Sequence, residues 1–385
     1  MSAAALTPDK IESLYVHVPF CGHKCEYCAF YSKIPAADVV NGYVEALITE
    51  MEIVADDLRP RTIFFGGGTP SLLSISQWRT VLEAMGRLNL LGAEEWTVEC
   101  NPATVSADKA ALLRDFGVNR ISMGVQSLDE RLLGRLGRIH SREQVFKSYE
   151  ILRSAGFENI NLDLMFGIPT QTMEIWHRTL EEIVALGTEH LSCYEVIYEE
   201  DTPLFEQLQA GQFDVDEELI EEMYEALLER SAEAGFQQYE VANFEKSDRG
   251  CQHNVNYWRG GSFYGLGPSA TEYVRGTRRK GWSNTQLYVE RIQTGQRAHE
   301  HSETLSELGR AGETAAFGLR MNRGWGFDEF QGITKFDLRE HWRVEMDDLI
   351  ADELGEQTED GFRLTRRGLR FADTAAAMFL RPDPA

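Results

Sequence analysis

Cysteine is scarce in this chain: six in 385 residues, of which Cys100, Cys193 and Cys251 stand alone. Isolated thiols give no paired spacing, so a disulfide framework is excluded as the organising principle. Long apolar runs are also missing. Nothing approaches the ~18 consecutive apolar residues of a membrane-spanning helix, and no stable membrane insertion is expected. The opening Met1-Ser2-Ala3-Ala4-Ala5-Leu6-Thr7 lacks the charged start and apolar stretch of a secretion signal, which leads to the expectation of a cytoplasmic protein. Positive charge is short as well, 38 Lys and Arg against 62 Asp and Glu, for a net charge of −24. Nucleic acid and anionic membrane surfaces require a basic face, so neither is expected as a partner. Repeats, low-complexity tracts and coiled-coil heptads are absent. The remainder is ordinary globular composition in a chain long enough for two domains, or for a barrel with an appendage.

The other three cysteines fall close together in Cys21-Gly22-His23-Lys24-Cys25-Glu26-Tyr27-Cys28, directly after the apolar run Leu14–Val18. Soft thiolates at such spacing select an iron–sulfur cluster, zinc or copper. A cubane held by three thiolates keeps one iron open for a small chelating ligand. A structural zinc completed by His17 or His23 is the plainer alternative, since Cys3His is a common zinc set.

Six short apolar runs, Leu14–Val18, Thr62–Phe65, Glu95–Glu99, Arg120–Val125, Ile160–Met165 and His190–Val196, alternate with amphipathic stretches at Asn41–Leu58, Ser76–Asn89, Ser106–Phe116, Ser141–Ala155 and Met173–Leu186. Strand alternating with helix predicts βαβ units on a parallel sheet. Six units are too few to close an eight-fold barrel, which leaves an α/β partial (β/α)6 barrel. Polar residues cluster where these strands end, the usual place for chemistry in such barrels: Gly66-Gly67-Gly68-Thr69, Glu99, Gln126 and Asp163. A glycine turn there lets backbone approach a ligand closely, although a tight strand-to-helix turn needs the same residues.

Beyond residue 200 the pattern changes. An acidic helix is expected at Asp216–Ala234 with a solvated acidic face, then a β-rich segment Tyr239–Asn284, then helices at Glu303–Met321 and Phe336–Glu353. The end, from Gly361, reads as a strand entering a helix, like part of a winged helix. The division expected is a barrel over 1–205 and a smaller α+β domain over 206–385. Within the second part, Cys251-Gln252-His253-Asn254-Val255-Asn256-Tyr257-Trp258 gathers a histidine, amides and aromatics. Histidine is a usual axial ligand of heme iron. From Arg249 to Gly281 six basic residues stand against one acid, Glu272, so the segment carries +5 in a chain of −24, a suitable complement for porphyrin propionates. The plainer reading makes His253 a hydrogen-bonded core histidine.

The C-x3-C-x2-C spacing resembles that of the radical S-adenosylmethionine (SAM) superfamily. With Tyr15 to Phe30, Gly66–Ser71, Glu99-Cys100-Asn101-Pro102, Gly124–Ser127, Leu136-Gly137-Arg138 and Asn161–Leu164 before Gly167-Ile168-Pro169, residues 14–200 resemble the oxygen-independent coproporphyrinogen III oxidase family. The resemblance implies that Cys21, Cys25 and Cys28 ligate a 4Fe-4S cluster, and that Tyr15, Tyr27, Phe30, Gly67, Gly68, Thr69, Glu99, Gln126, Arg138 and Asp163 surround S-adenosyl-L-methionine. The string His253-Asn254-Val255-Asn256-Tyr257-Trp258 is similar to the HNxxYW motif of the HemW branch. It implies a heme chaperone that binds heme through His253 and passes it to acceptor hemoproteins, respiratory ones notably; a homodimer is compatible with it. Two departures separate the chain from the oxidase: Phe30 stands where the oxidase has a fourth cysteine, and only thirteen residues precede Leu14. The rival functions are the oxidase itself, a radical decarboxylase of coproporphyrinogen III, a heme-modifying radical enzyme, and a binding module without a cluster.

Overall fold

The structure, a computed structural model, describes residues 10–381 except Pro35 and Ala298. The seven residues weighed for a secretion signal lie outside the described residues. Six parallel strands, β1 (Ile11–Val18), β2 (Leu58–Gly67), β3 (Glu95–Cys100), β4 (Arg120–Gln126), β5 (Ile160–Phe166) and β6 (His190–Glu195), pair in sequence order. Their connecting helices are α1 (Ala37–Val54), α2 (Ile75–Arg87), α3 (Ala107–Asp115), α4 (Glu130–Arg135), α5 (Arg142–Ser154) and α6 (Met173–Ala185). Five of the six helices begin at a side-chain cap, α1 being the exception. Ser74 and Ser141 form complete capping boxes with Gln77 and Gln144, which satisfy backbone donors that the first turn leaves open. The partial (β/α)6 barrel expected from the alternation is the observed architecture.

Strands are added at both edges of that sheet. The antiparallel pair β7 (Gln237–Glu240) and β8 (Asn243–Glu245) continues it beyond β6, and β9 (Tyr264–Leu266) runs parallel beside β1, giving nine strands in the order β7-β8-β6-β5-β4-β3-β2-β1-β9. A second sheet of β10 (Thr271–Val274), β11 (Thr277–Gly281) and β12 (His299–Thr304) packs nearby, and a third, β13 (Trp325–Gly326), β14 (Gly355–Gln357) and β15 (Gly361–Leu364), lies in the C-terminal part with its helices.

The expected boundary at 205/206 is therefore displaced. The barrel core continues through Ile220, Met223, Leu227, Phe244, Leu266, Tyr288 and Ile292, whereas a separate core of Ala311, Trp325, Phe330, Trp342, Phe362 and Phe379 begins only after residue 300. The helices α7 (Pro203–Gln209) and α8 (Glu217–Glu233) thus belong with the barrel. Nor is the acidic face of α8 simply solvated: Glu221 and Glu225 pair with Arg370 and Arg366 of the C-terminal part. The segment taken as β-rich contains a helix, α9 (Gln252–Trp258), at the motif of interest. Among the described residues no helix is long and apolar enough to cross a membrane.

Candidate functional site

The three thiols sit on the loop that leaves β1. Two backbone bonds close the loop on itself, Cys21 N–H to Lys33 O at 3.0 Å and Lys33 N–H to Pro19 O at 2.8 Å, and a third, Glu26 N–H to Leu136 O at 3.0 Å, fixes its middle to the end of α4. Cys21, Cys25 and Cys28 are all unpaired and half-buried. Each has a neighbour or a field that bears on a sulfur: Thr69 Oγ1 lies 3.5 Å from Cys21 Sγ, Arg138 Nη1 lies 3.6 Å from Cys25 Sγ, and burial raises the Cys28 thiol. The loop opens onto a cavity of about 860 Å³ at the C-terminal mouth of the barrel. Every residue that the resemblance implies around cluster and cofactor, from Tyr15 to Asp163, lines this one cavity.

Gly67 and Gly68 are explained first by their neighbours. Gly67 has φ +100°, and a Cβ there would collide with the His17 ring. At Gly68 a Cβ would stand 2.7 Å from both Val18 O and Phe20 O, because the turn is stitched to the end of β1 through Gly68 N–H to Val18 O and Thr69 N–H to Phe20 O. Bare backbone thus lets β2 hand its turn to the thiol loop. Gly67 N–H donates to Glu99 Oε2 at 3.2 Å, which places that carboxyl on the cavity wall.

Two acids share this wall. Burial, aided by the neighbouring Asp163, pushes Glu99 up to about 8; burial pushes Asp163 up to about 6 against hydrogen bonds from Asn161 and Ser122 that favour its charge. Two carboxyls at close quarters resist simultaneous ionisation, so a cation in the cavity would find groups ready to release protons and hold it. Gln126 reaches the mouth through a bulge in β4, where the pairing with β5 shifts after Gly124 and its own φ is +65°. Arg138 is anchored by Nη2 to Gly124 O at 2.6 Å.

The other candidate, His253, lies at the opposite end of the barrel. Helix α9 closes the foot of the sheet: Glu95, at the start of β3, accepts the backbone N–H groups of Gln252 at 2.8 Å and His253 at 2.9 Å. His253 is 1% exposed and stacked on Phe64. Its Nδ1 is 3.0 Å from both Ser13 Oγ and Thr62 Oγ1, and its Nε2 is 2.6 Å from the Tyr257 hydroxyl. Burial lowers its pKa to about 3, so the ring is neutral. Even so, His253, Asn254 and Tyr257 line the same cavity as the thiols.

The expected basic face for propionates is not present as such. Arg275 pairs with Asp57, Arg278 with Glu303 and Glu313, and Arg279 with Glu272. For Arg275 and Arg278 the partners Asp57, Glu303 and Glu313 lie outside the segment, where a count along it does not register them. What sequence reasoning missed are the apolar neighbours of Phe30 at the rim: Ile139 and Ile197 are 59% and 65% exposed around the mouth, beside Phe30 at 68%. It also missed Arg120, whose position inside an apolar run concealed a guanidinium facing the lumen.

The donor set fits a cluster with three thiolate ligands and room beside it for a chelating cofactor.

Residues 15–183 match the radical SAM superfamily and residues 305–371 match the HemN C-terminal domain. The heme chaperone HemW of Lactococcus lactis is 34% identical over 97% of this chain and 99% of that protein, and the heme chaperone HemW of Bacillus subtilis is 33% identical over 96% and 99%. In fold the chain is similar to coproporphyrinogen III oxidase of Escherichia coli, a radical SAM enzyme, with a TM-score of 0.84 at 21% identity over 97% of this chain and 91% of the other. With relatives matched from end to end, the chain belongs to the HemW family of the radical SAM superfamily.

Proposed function

We propose that the protein is a cytoplasmic heme chaperone, which binds heme and passes it unchanged to acceptor hemoproteins, respiratory ones among them. The observation that carries this reading is the single cavity that joins the three thiols at one end to His253 and Tyr257 at the other. A 4Fe-4S cluster would be held by Cys21, Cys25 and Cys28, with S-adenosyl-L-methionine among Tyr15, Tyr27, Phe30, Gly67, Gly68, Thr69, Glu99, Gln126, Arg138 and Asp163. When bound, these groups supply one-electron chemistry and an adenosyl donor. The protein's own residues orient them: Arg138 and Thr69 direct N–H and O–H groups at cysteine sulfurs, and the glycine turn fixes the spacing between thiol loop and Glu99.

For His253 to ligate heme iron through Nε2, the Tyr257 hydroxyl must give way. Phe30 at the rim, in place of the oxidase's fourth cysteine, favours an apolar ligand face over decarboxylase chemistry. The test is an anoxic heme titration, followed by the Soret band, on cluster-loaded protein and on folded His253→Ala. Saturation near one heme per chain, lost in the variant, is expected. Weak, unsaturable binding identical in both proteins would remove the reading.

A further inference from the structure

Buried guanidinium groups are ordinarily paired, because an isolated charge out of water loses its hydration without compensation. Arg120, at the start of β4, is 2% exposed and lines the cavity, yet among the described residues no carboxylate lies within ion-pair distance of it. Its one hydrogen bond is a long one, Nη1 to Thr97 Oγ1 at 3.4 Å, and Nε has no partner. The acids whose fields reach it are engaged elsewhere. Glu95 holds the backbone amides that begin α9, and Asp163 accepts from Asn161 and Ser122. A guanidinium that lines the cavity with Nε lacking an acceptor and only one long bond from Nη1 has donors to spare for a carboxylate.

We propose that Arg120 is a recessed anchor for the carboxylate of a ligand that enters the barrel, a heme propionate when the cargo is heme. This identification rests on the chaperone reading; the anchor itself does not, since S-adenosyl-L-methionine also carries a carboxylate. The site would give the cavity a means of recognising an anionic macrocycle, although the ion-paired Arg275, Arg278 and Arg279 do not line it. Apolar contact at the rim would take the ring, and the guanidinium would select for the free acid.

The test compares anoxic binding of heme, heme dimethyl ester and S-adenosyl-L-methionine to the cluster-loaded full-length protein and to its Arg120→Gln and Arg120→Lys variants. If a propionate is the occupant, heme binds the unaltered protein roughly ten- to a hundredfold more tightly than the ester. Arg120→Gln brings heme to the ester's affinity and leaves S-adenosyl-L-methionine unaffected. Loss confined to S-adenosyl-L-methionine instead would make its carboxylate the occupant. Should Arg120→Gln not fold, Arg120→Lys decides, because it keeps the charge but loses the fork and should weaken the same ligand partially. Failure of the unaltered protein to bind heme would sink the chaperone reading and leave the S-adenosyl-L-methionine arm to judge Arg120. Unchanged affinity for all three ligands in a folded variant would overturn the anchor.

Discussion

Glu95 accepts the backbone N–H of His253 at 2.9 Å across 158 residues of sequence, and so a strand of the barrel caps a helix that has no side-chain cap of its own. A carboxylate at a helix N-terminus answers both the open donors and the helix dipole. Replacing Glu95 by Ala should therefore cost about 1–3 kcal/mol. Hydrogen exchange should locate the damage, with amides of residues 252–258 losing protection before those of β1 and β2. Uniform loss of protection would show that Glu95 supports the barrel rather than α9.

Glycines in this chain should respond oppositely to alanine according to what surrounds them. Gly68→Ala puts a Cβ 2.7 Å from two backbone oxygens that cannot retreat, and should destabilise by at least about 2 kcal/mol with loss of iron content on reconstitution. Gly134, exposed within α4 with nothing near its missing Cβ, should gain roughly 0.5–1 kcal/mol on the same change. Urea midpoints of the two variants measured together check both signs.

The folded-state pKa of Glu99, about 8, lies above the ordinary value of 4.5. Between those values the unfolded chain has released this proton while the folded protein keeps it, so the group's contribution to stability falls as pH rises from about 4.5 to 8. Asp163 acts in the same direction between 3.8 and about 6. In metal-free protein, Glu99→Gln should remove part of this decline, with a gain over the unaltered chain that grows with pH to the order of 1–3 kcal/mol near pH 8. A constant difference from pH 5 to 8 would mean that Glu99 does not titrate in this window.

The six strands were legible because β-branched and aromatic residues recur in short runs that end in glycine or polar positions, as Ile160–Met165 does before Gly167. The thiol loop was legible from spacing alone. Helix α9 was not. Seven residues give too few turns for a period to appear, and its cap comes from Glu95, which no local pattern reveals. The continuation of the barrel core beyond residue 205 was not legible, because Thr202, which caps α7, and Pro203, which opens it, are residue types as common in loops as at helix starts. Arg275 and Arg278 formed part of a basic patch in sequence and ion pairs in space, since their partners Asp57, Glu303 and Glu313 lie outside that segment; Arg279 takes the segment's one acid, Glu272.

Tyr257 sits 2.6 Å from His253 Nε2, and its hydroxyl decides what that nitrogen is free to do. Removing it in Tyr257→Phe leaves the ring nitrogen without its partner while keeping the aromatic packing against Phe263. The cost to the ligand-free protein should be about 1–2 kcal/mol, because a buried polar atom goes unsatisfied. If His253 becomes an iron ligand through Nε2, that same bond opposes heme binding in the unaltered protein, and its removal should tighten heme up to about tenfold. Should Tyr257 itself ligate the iron, the variant would instead bind more weakly and its Soret band would shift. Stability and affinity moving in opposite directions is therefore the signature of the hydroxyl as a latch on His253, and both falling together is the signature of a ligand.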